Sequence, residues 1–297
     1  MKPEQPYPAR TPKRLMDEIS MISPPSGCAA VWFFGQESVV LKGRQTIIHI
    51  DPFHSDFLDH TQGVKRVYPS LLRPEDITLA DLCLITHEHE DHLDPWTLKA
   101  IASQCPQTTF MAPAFCRPIL ESECGIDSGR IIDALTGQWI ELEGAGGDQV
   151  RIQPVPAAHE VLETTGSDRK HRYVGYLIEM NGVKLYHAGD TVIYPGLSEF
   201  LLAEQIDLGM LPINGRDYYR GSRGLIGNMN YREAAELAVG ARMDTVIPLH
   251  YDVFSGNSEK PGYFLQELYE HTPEQKCHVM ARGERFMYVS PGAFFRN

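Results

Sequence analysis

His87-Glu88-His89-Glu90-Asp91-His92 is the run that decides the reading of this chain, and it follows directly on Asp81-Leu82-Cys83-Leu84-Ile85-Thr86. Residues 81–86 read as a buried strand, and Asp94-Pro95 opens a helix through about residue 104 with Pro in its first turn. The histidine run therefore occupies a strand-to-helix loop, which is where open α/β folds hold ligands. Three imidazoles and an aspartate so close together are hard to explain as an ordinary polar helix start. Neutral imidazole and carboxylate are donors for zinc, manganese and iron alike. In a tight loop His87 and His89 can chelate one ion, while Asp91 and His92 turn toward a second a few ångström away.

Three later positions complete such a set. His159, Asp190 and His250 each stand just after a predicted strand, in Ala158-His159, Gly189-Asp190 and Leu249-His250. One histidine in such a place is more often an ordinary loop residue, but three donors of the right type at three strand ends are harder to dismiss. The workable assignment puts His87, His89 and His159 on a first divalent metal ion, and Asp91, His92 and His250 on a second. The Asp190 carboxylate then bridges the two, and no thiolate is required. His49 alternates within a strand and reads as structural, and His187 at most supports the ligands. The remaining histidines lack such context.

Outward from the loop, residues 11–22 carry Leu15, Ile19 and Ile22 at helical spacing, and Pro24-Pro25-Ser26-Gly27 ends that helix. Strands are expected over 29–34, 38–41 and 46–51, over 149–156, and over 173–180 and 183–187 around the hairpin signal Asn181-Gly182. Residues 54–73 show no period and read as a long loop. Helices are expected over 196–204, 231–239 and 263–271, and a strand over 245–248. Strands come first in hairpins and later alternate with helices. That pattern implies an α/β fold with two mixed β-sheets between helical layers: one domain over 28–297, preceded by an extension over 1–27 with its short helix.

Composition narrows the function. Hydrophobic residues make up 42% of the 297 and charged residues 22%, an ordinary globular balance. No window approaches the roughly 18 apolar residues of a membrane-spanning helix, and residues 1–27 lack a secretory apolar stretch, so a cytoplasmic protein with no membrane partner is expected. The six cysteines form no CxxC pair, and a disulfide framework is not expected. A net charge of −12 opposes nucleic acid as a partner and disfavours a nuclease. Association into a homo-oligomer stays open.

The order HxHxDH, then His, then Gly-Asp-Thr, then Pro-x-His resembles the metallo-β-lactamase superfamily. Val64-Lys65-Arg66-Val67-Tyr68-Pro69, Leu185-Tyr186-His187-Ala188-Gly189-Asp190, Ser222-Arg223-Gly224 through Met229, and Val246-Ile247-Pro248-Leu249-His250-Tyr251-Asp252 look like the L-ascorbate-6-phosphate lactonase group within it. The likeness spans roughly residues 28 to 255, while the full dinuclear set with His159 resembles the broader superfamily, phosphodiesterases included. The resemblance implies a four-layer αββα sandwich and a metal-dependent hydrolase holding two divalent ions, manganese or zinc, with iron also compatible.

It further implies that a metal-bound hydroxide opens a phosphorylated sugar-acid lactone, with Asp91 as the catalytic residue that orients the nucleophile and accepts its proton. A small anionic substrate needs a docking point, and arginine binds phosphate bidentately. Arg223 is the first choice, then Arg216 or Arg220, because 214–230 links a strand end to a helix and can overhang the site. Arg172 is the second candidate region. The alternatives are a phosphodiesterase acting on a small cyclic or lipid-derived diester, and a non-catalytic binding module, whose expected mark would be missing ligands. An antibiotic-hydrolysing lactamase is disfavoured without an export signal.

Overall fold

The computed structural model describes residues 11–166 and 169–294. The first ten residues of the expected extension lie outside them. Helix α1 (Pro12–Met21) begins at Thr11, whose hydroxyl accepts from the Arg14 N–H at 3.3 Å, and buries Leu15, Met16 and Ile19 along one stripe. Strands β1 (Cys28–Gly35), β2 (Ser38–Lys42) and β3 (Ile47–Ile50) follow as antiparallel neighbours.

The chain then changes habit. After the short α2 (Phe57–Gln62), β4 (Leu82–Leu84), α3 (Pro95–Gln104), β5 (Thr109–Ala112), α4 (Arg117–Ser122) and β6 (Ile131–Asp133) alternate, and the strands add in parallel. The expected loop over 54–73 therefore contains one short helix.

The second half repeats the plan. Strands β7 (Ile140–Glu143), β8 (Gln149–Pro156), β9 (Val174–Met180) and β10 (Val183–His187) form an antiparallel meander. Then α5 (Leu197–Glu204), β11 (Leu208–Pro212), α6 (Tyr218–Gly221), α7 (Tyr231–Gly240), β12 (Thr245–Leu249), α8 (Pro261–His271) and β13 (Lys276–Cys277) alternate, with parallel strands. Strand β14 (Arg285–Val289) returns to pair antiparallel with β1. The sheets run β14-β1-β2-β3-β4-β5-β6 and β13-β12-β11-β10-β9-β8-β7.

Strand periodicity explains the layering. Ala29, Val31 and Phe33 of β1 point between the sheets, toward a core that includes Tyr176 and Leu185. Ala30, Trp32 and Phe34 point the other way, onto Leu15, Ile19, Leu98 and Ile101 of α1 and α3. Because both faces are apolar, each sheet needs cover on two sides. Leu197, Leu201, Ala234, Leu237, Phe264 and Leu268 of α5, α7 and α8 cover the second sheet. The result is a four-layer αββα sandwich of two mixed sheets. All six cysteines are unpaired, and no helix among the described residues is long and apolar enough to cross a membrane.

Candidate metal centre and active site

Four strands end at one rim. β4 leads into His87–His92, β8 into His159, β10 into Asp190 and β12 into His250. The register ensures this: β8 and β10 both run antiparallel to β9, and β10, β11 and β12 are parallel. Gly189 has φ +58°, and a Cβ there would lie 2.8 Å from the Val174 carbonyl and 2.9 Å from the Thr86 side chain. Glycine is therefore required for the turn that presents Asp190.

The structure gathers all seven side chains expected as ligands. His87, His89 and His159 form one group of donors, Asp91, His92 and His250 a second, and Asp190 joins His87 and His92 in a third. His87 Nε2 and His89 Nδ1 are 2.9 Å apart. Asp190 Oδ2 lies 3.6 Å from His159 Nε2 and 3.4 Å from His250 Nε2, while its Oδ1 lies 3.5 Å from His92 Nε2. Asp91 Oδ2 is 3.7 Å from His92 Nε2 and 3.8 Å from His250 Nε2.

Donors sitting about 2.1 Å from one ion are about 3.0 Å apart at right angles and about 3.4 Å apart in a tetrahedron. The separations in this cluster fall around those values. His92 Nε2 and Asp190 Oδ1 are also buried with no hydrogen-bond partner. Such orphaned atoms are costly unless something else satisfies them. The donor set fits divalent cations, and Asp190 stands where it can reach both groups.

Electrostatics favour the same use. Burial and the neighbouring His92 and His89 imidazoles hold His87 well below the usual histidine range, and burial brings His159 down to about 4. Both are thus neutral, as ligation requires. Burial pushes Asp190 and Asp91 up, but their imidazole neighbours outweigh it and hold both carboxylates below their ordinary range. For His92, burial is outweighed by Asp190, Asp91 and Asp51, which raise it well above the ordinary histidine value. Those carboxylates would favour a cation in place of that proton.

Several supporting residues were not singled out from sequence. Asp51, at the end of β3, accepts from Thr86 N–H at 2.8 Å and Thr86 Oγ at 2.6 Å, and its Oδ2 lies 2.7 Å from His92 Nδ1. This holds His92 with Nε2 toward Asp190. Gln36, in the β1–β2 turn, donates its amide to Asp91 Oδ2 at 2.7 Å. Glu37 is fully buried, with its carboxylate 3.3 Å from His187 Nε2, and burial and Asp190 raise its pKa well above the ordinary value. The Asp-Pro after β3 was the one visible signal; a Gln in a hairpin turn carries none.

Over the cluster lies a cavity of about 430 Å³, whose floor includes His89, Asp91, His159, Asp190 and His250. Leu58, Val64, Leu225, Ile226 and Phe254 form much of its wall, and Lys65 is the basic side chain among the described lining residues. The four arginines expected to meet the substrate do not line it. Arg216 pairs with both carboxylate oxygens of Glu233 at 2.6 Å. Arg220 donates to the carbonyls of Asn214, Gly215 and Ser258. Arg223 lies 3.6 Å from the centre of the Tyr219 ring and donates to that residue's carbonyl. Arg172 pairs with Glu88 and, at 3.0 Å, with Glu163. The reason is local: each guanidinium finds acceptors or an aromatic face close by, and the fork geometry is satisfied there.

Comparison with known proteins agrees with this geometry. Residues 46–251 match the model of the Beta-lactamase superfamily domain. A metal-dependent hydrolase of Pyrococcus furiosus is 29% identical over 258 residues, which is 86% of this chain and 97% of the relative. A protein of Escherichia coli described as "Probable L-ascorbate-6-phosphate lactonase UlaG" is 24% identical, over 83% of this chain and 76% of its own. The solved structure of a metallo hydrolase from the archaeon Ignicoccus hospitalis shares the fold, with a TM-score of 0.63 at 24% identity, covering 88% of this chain and 98% of that one. With the family match spanning most of the sandwich and the donor cluster, the chain belongs to the metallo-β-lactamase superfamily and is a metal-dependent hydrolase.

Proposed function

We propose that this hydrolase opens a lactone of a sugar acid, phosphorylated or otherwise anionic, over a pair of divalent cations. The observation that carries the reading is the position of Asp190, within 3.6 Å of donors from both triads. His87, His89 and His159 would hold one ion, Asp91, His92 and His250 the other, with Asp190 between them. Bound there, manganese or zinc supplies Lewis acidity toward the carbonyl and lowers the pKa of water. Asp91 orients the attacking water and takes its proton, its charge maintained by His92 and His250. The apolar wall thins the water around the reacting carbonyl, which strengthens charge stabilisation at the floor.

Lys65 takes the role expected of an arginine, meeting the anionic end of the substrate at the mouth. A lysine ammonium is a point charge on a flexible stem, suited to an exposed rim. Lys65→Met is expected to raise KM for phosphorylated lactones about fivefold with kcat little changed, since a rim ion pair contributes about 1 kcal/mol. Arg223→Ala is the comparator and should leave KM within about twofold.

A second reading, a phosphodiesterase acting on a lipid-derived or cyclic diester, draws on the wall of Leu58, Val64, Leu225, Ile226 and Phe254. The same floor would polarise a phosphoryl oxygen. Assay of the metal-loaded protein on a lactone panel beside bis(p-nitrophenyl) phosphate separates the two. Lactone opening that exceeds diester cleavage is the expected result; efficient diester turnover with every lactone left intact would overturn the assignment.

A further inference from the structure

The geometry points to Gln36 as an additional donor to the second cation, through its side-chain amide oxygen. This rests on the two-cation reading above and extends it by one residue. Gln36 is fully buried, with φ +58°, in the turn between β1 and β2. Its backbone is gripped by the His250 loop: its carbonyl accepts from the His250 N–H at 2.8 Å, and its N–H donates to Asp252 Oδ1 at 3.2 Å. The side chain therefore has little freedom to leave.

Its amide terminus lies 2.7 Å from Asp91 Oδ2 and 3.3 Å from His250 Nε2. Those two atoms are the ones through which Asp91 and His250 would bind the second ion. A triangle with sides of 2.7, 3.3 and 3.8 Å has the dimensions of three donors around one cation, for which about 3.0 to 3.4 Å is usual. Meanwhile Gln36 Oε1 is buried with no hydrogen-bond partner.

Which end of an amide faces a neighbour is decided by what that neighbour offers. Facing a carboxylate alone, the NH2 end is favoured. With a divalent cation between Asp91 and His250, the oxygen end is favoured, since amide oxygens are ordinary ligands for such ions and an N–H is not. Half a turn of the terminal amide exchanges them, and the oxygen then takes the place now held by Nε2. The buried orphan becomes a ligand, and the second site gains a fifth protein donor beside Asp91, His92, His250 and the shared Asp190.

The test is a cation titration of the metal-stripped chain with Mn2+ and separately with Co2+, on wild type, Gln36→Leu and Gln36→Glu. Wild type is expected to take two ions. Gln36→Leu, similar in size and without polar atoms, should hold one ion as wild type does and the other at least about tenfold more weakly, with the visible spectrum of that second Co2+ altered. Gln36→Glu, which keeps an oxygen donor, should hold the second ion at least as tightly as wild type. Two ions held by Gln36→Leu with unchanged affinity and spectrum, both lost alike, or a tenfold weaker second ion in Gln36→Glu would each overturn the inference. Should Gln36→Leu not fold, the Gln36→Glu arm still decides. Wild type taking fewer than two ions would instead remove the two-cation reading itself.

Discussion

At the scale of single residues, the cluster depends on side chains that never reach the cavity. Asp51 is the clearest case. Its carboxylate accepts from the Thr86 hydroxyl and faces His92 Nδ1 at 2.7 Å, so the tautomer of His92 is set from behind. Asp51→Asn keeps the shape but removes the charge, and should weaken metal binding about 10- to 100-fold in a chelator competition, with little change in fold. His49 shows the opposite kind of histidine. Burial depresses its pKa to about 4, and Nε2 lies 2.9 Å from the Leu79 carbonyl. Its folded pKa is below the unfolded value near 6.5, so the stability it contributes is complete above about pH 6.5 and is lost as pH falls toward 4. That single group is worth on the order of 3 kcal/mol across the window. Urea unfolding of wild type and His49→Gln between pH 7 and 4.5 checks the sign: the variant should lose less stability on acidification. An equal loss would assign the effect to other buried histidines.

At the scale of elements, α1 is held by an unusual cap. Lys42 of β2 is buried and donates to the Ile19 and Ser20 carbonyls at 2.7 and 2.9 Å, in the last turn of the helix. Those carbonyls lack partners within the helix, and a cation suits that end. Lys42→Met is predicted to cost about 1 to 3 kcal/mol by denaturant unfolding while leaving metal content unchanged. Elements with a clear period were legible: α1, α3, α7 and α8, and the β9–β10 hairpin around Asn181-Gly182. β5 and β11 were not. β5 is a run of four residues, Thr109–Ala112, and β11 contains Gly209 and Pro212. Such short runs are ambiguous between strand and helix, and what makes β11 a strand is its place between β10 and β12. The donor residues His87 to His92, His159, Asp190 and His250 could be read because each follows a recognisable strand. Gln36 could not, since its part depends on two distant turns meeting. The pairing of Arg216 was not legible for the same reason: its acceptor is Glu233, and no local pattern announces that pairing.

At the scale of the whole molecule, the cluster sits on the seam between the sheets. Asp51 and His87 to His92 come from the first sheet, and His159, Asp190 and His250 from the second. Cations held across that seam would tie the halves together and stabilise the folded chain by mass action, about 2.7 kcal/mol at a free concentration one hundred times Kd. The account is tested most directly by metal analysis of the purified chain after loading with Mn2+ or Zn2+ and desalting, alongside Asp190→Ala. It predicts about two ions per wild-type chain with lactone turnover, and fewer than one in the variant with turnover abolished. A wild-type chain that emerges without metal yet remains active, or an Asp190→Ala chain that keeps both ions, would contradict it.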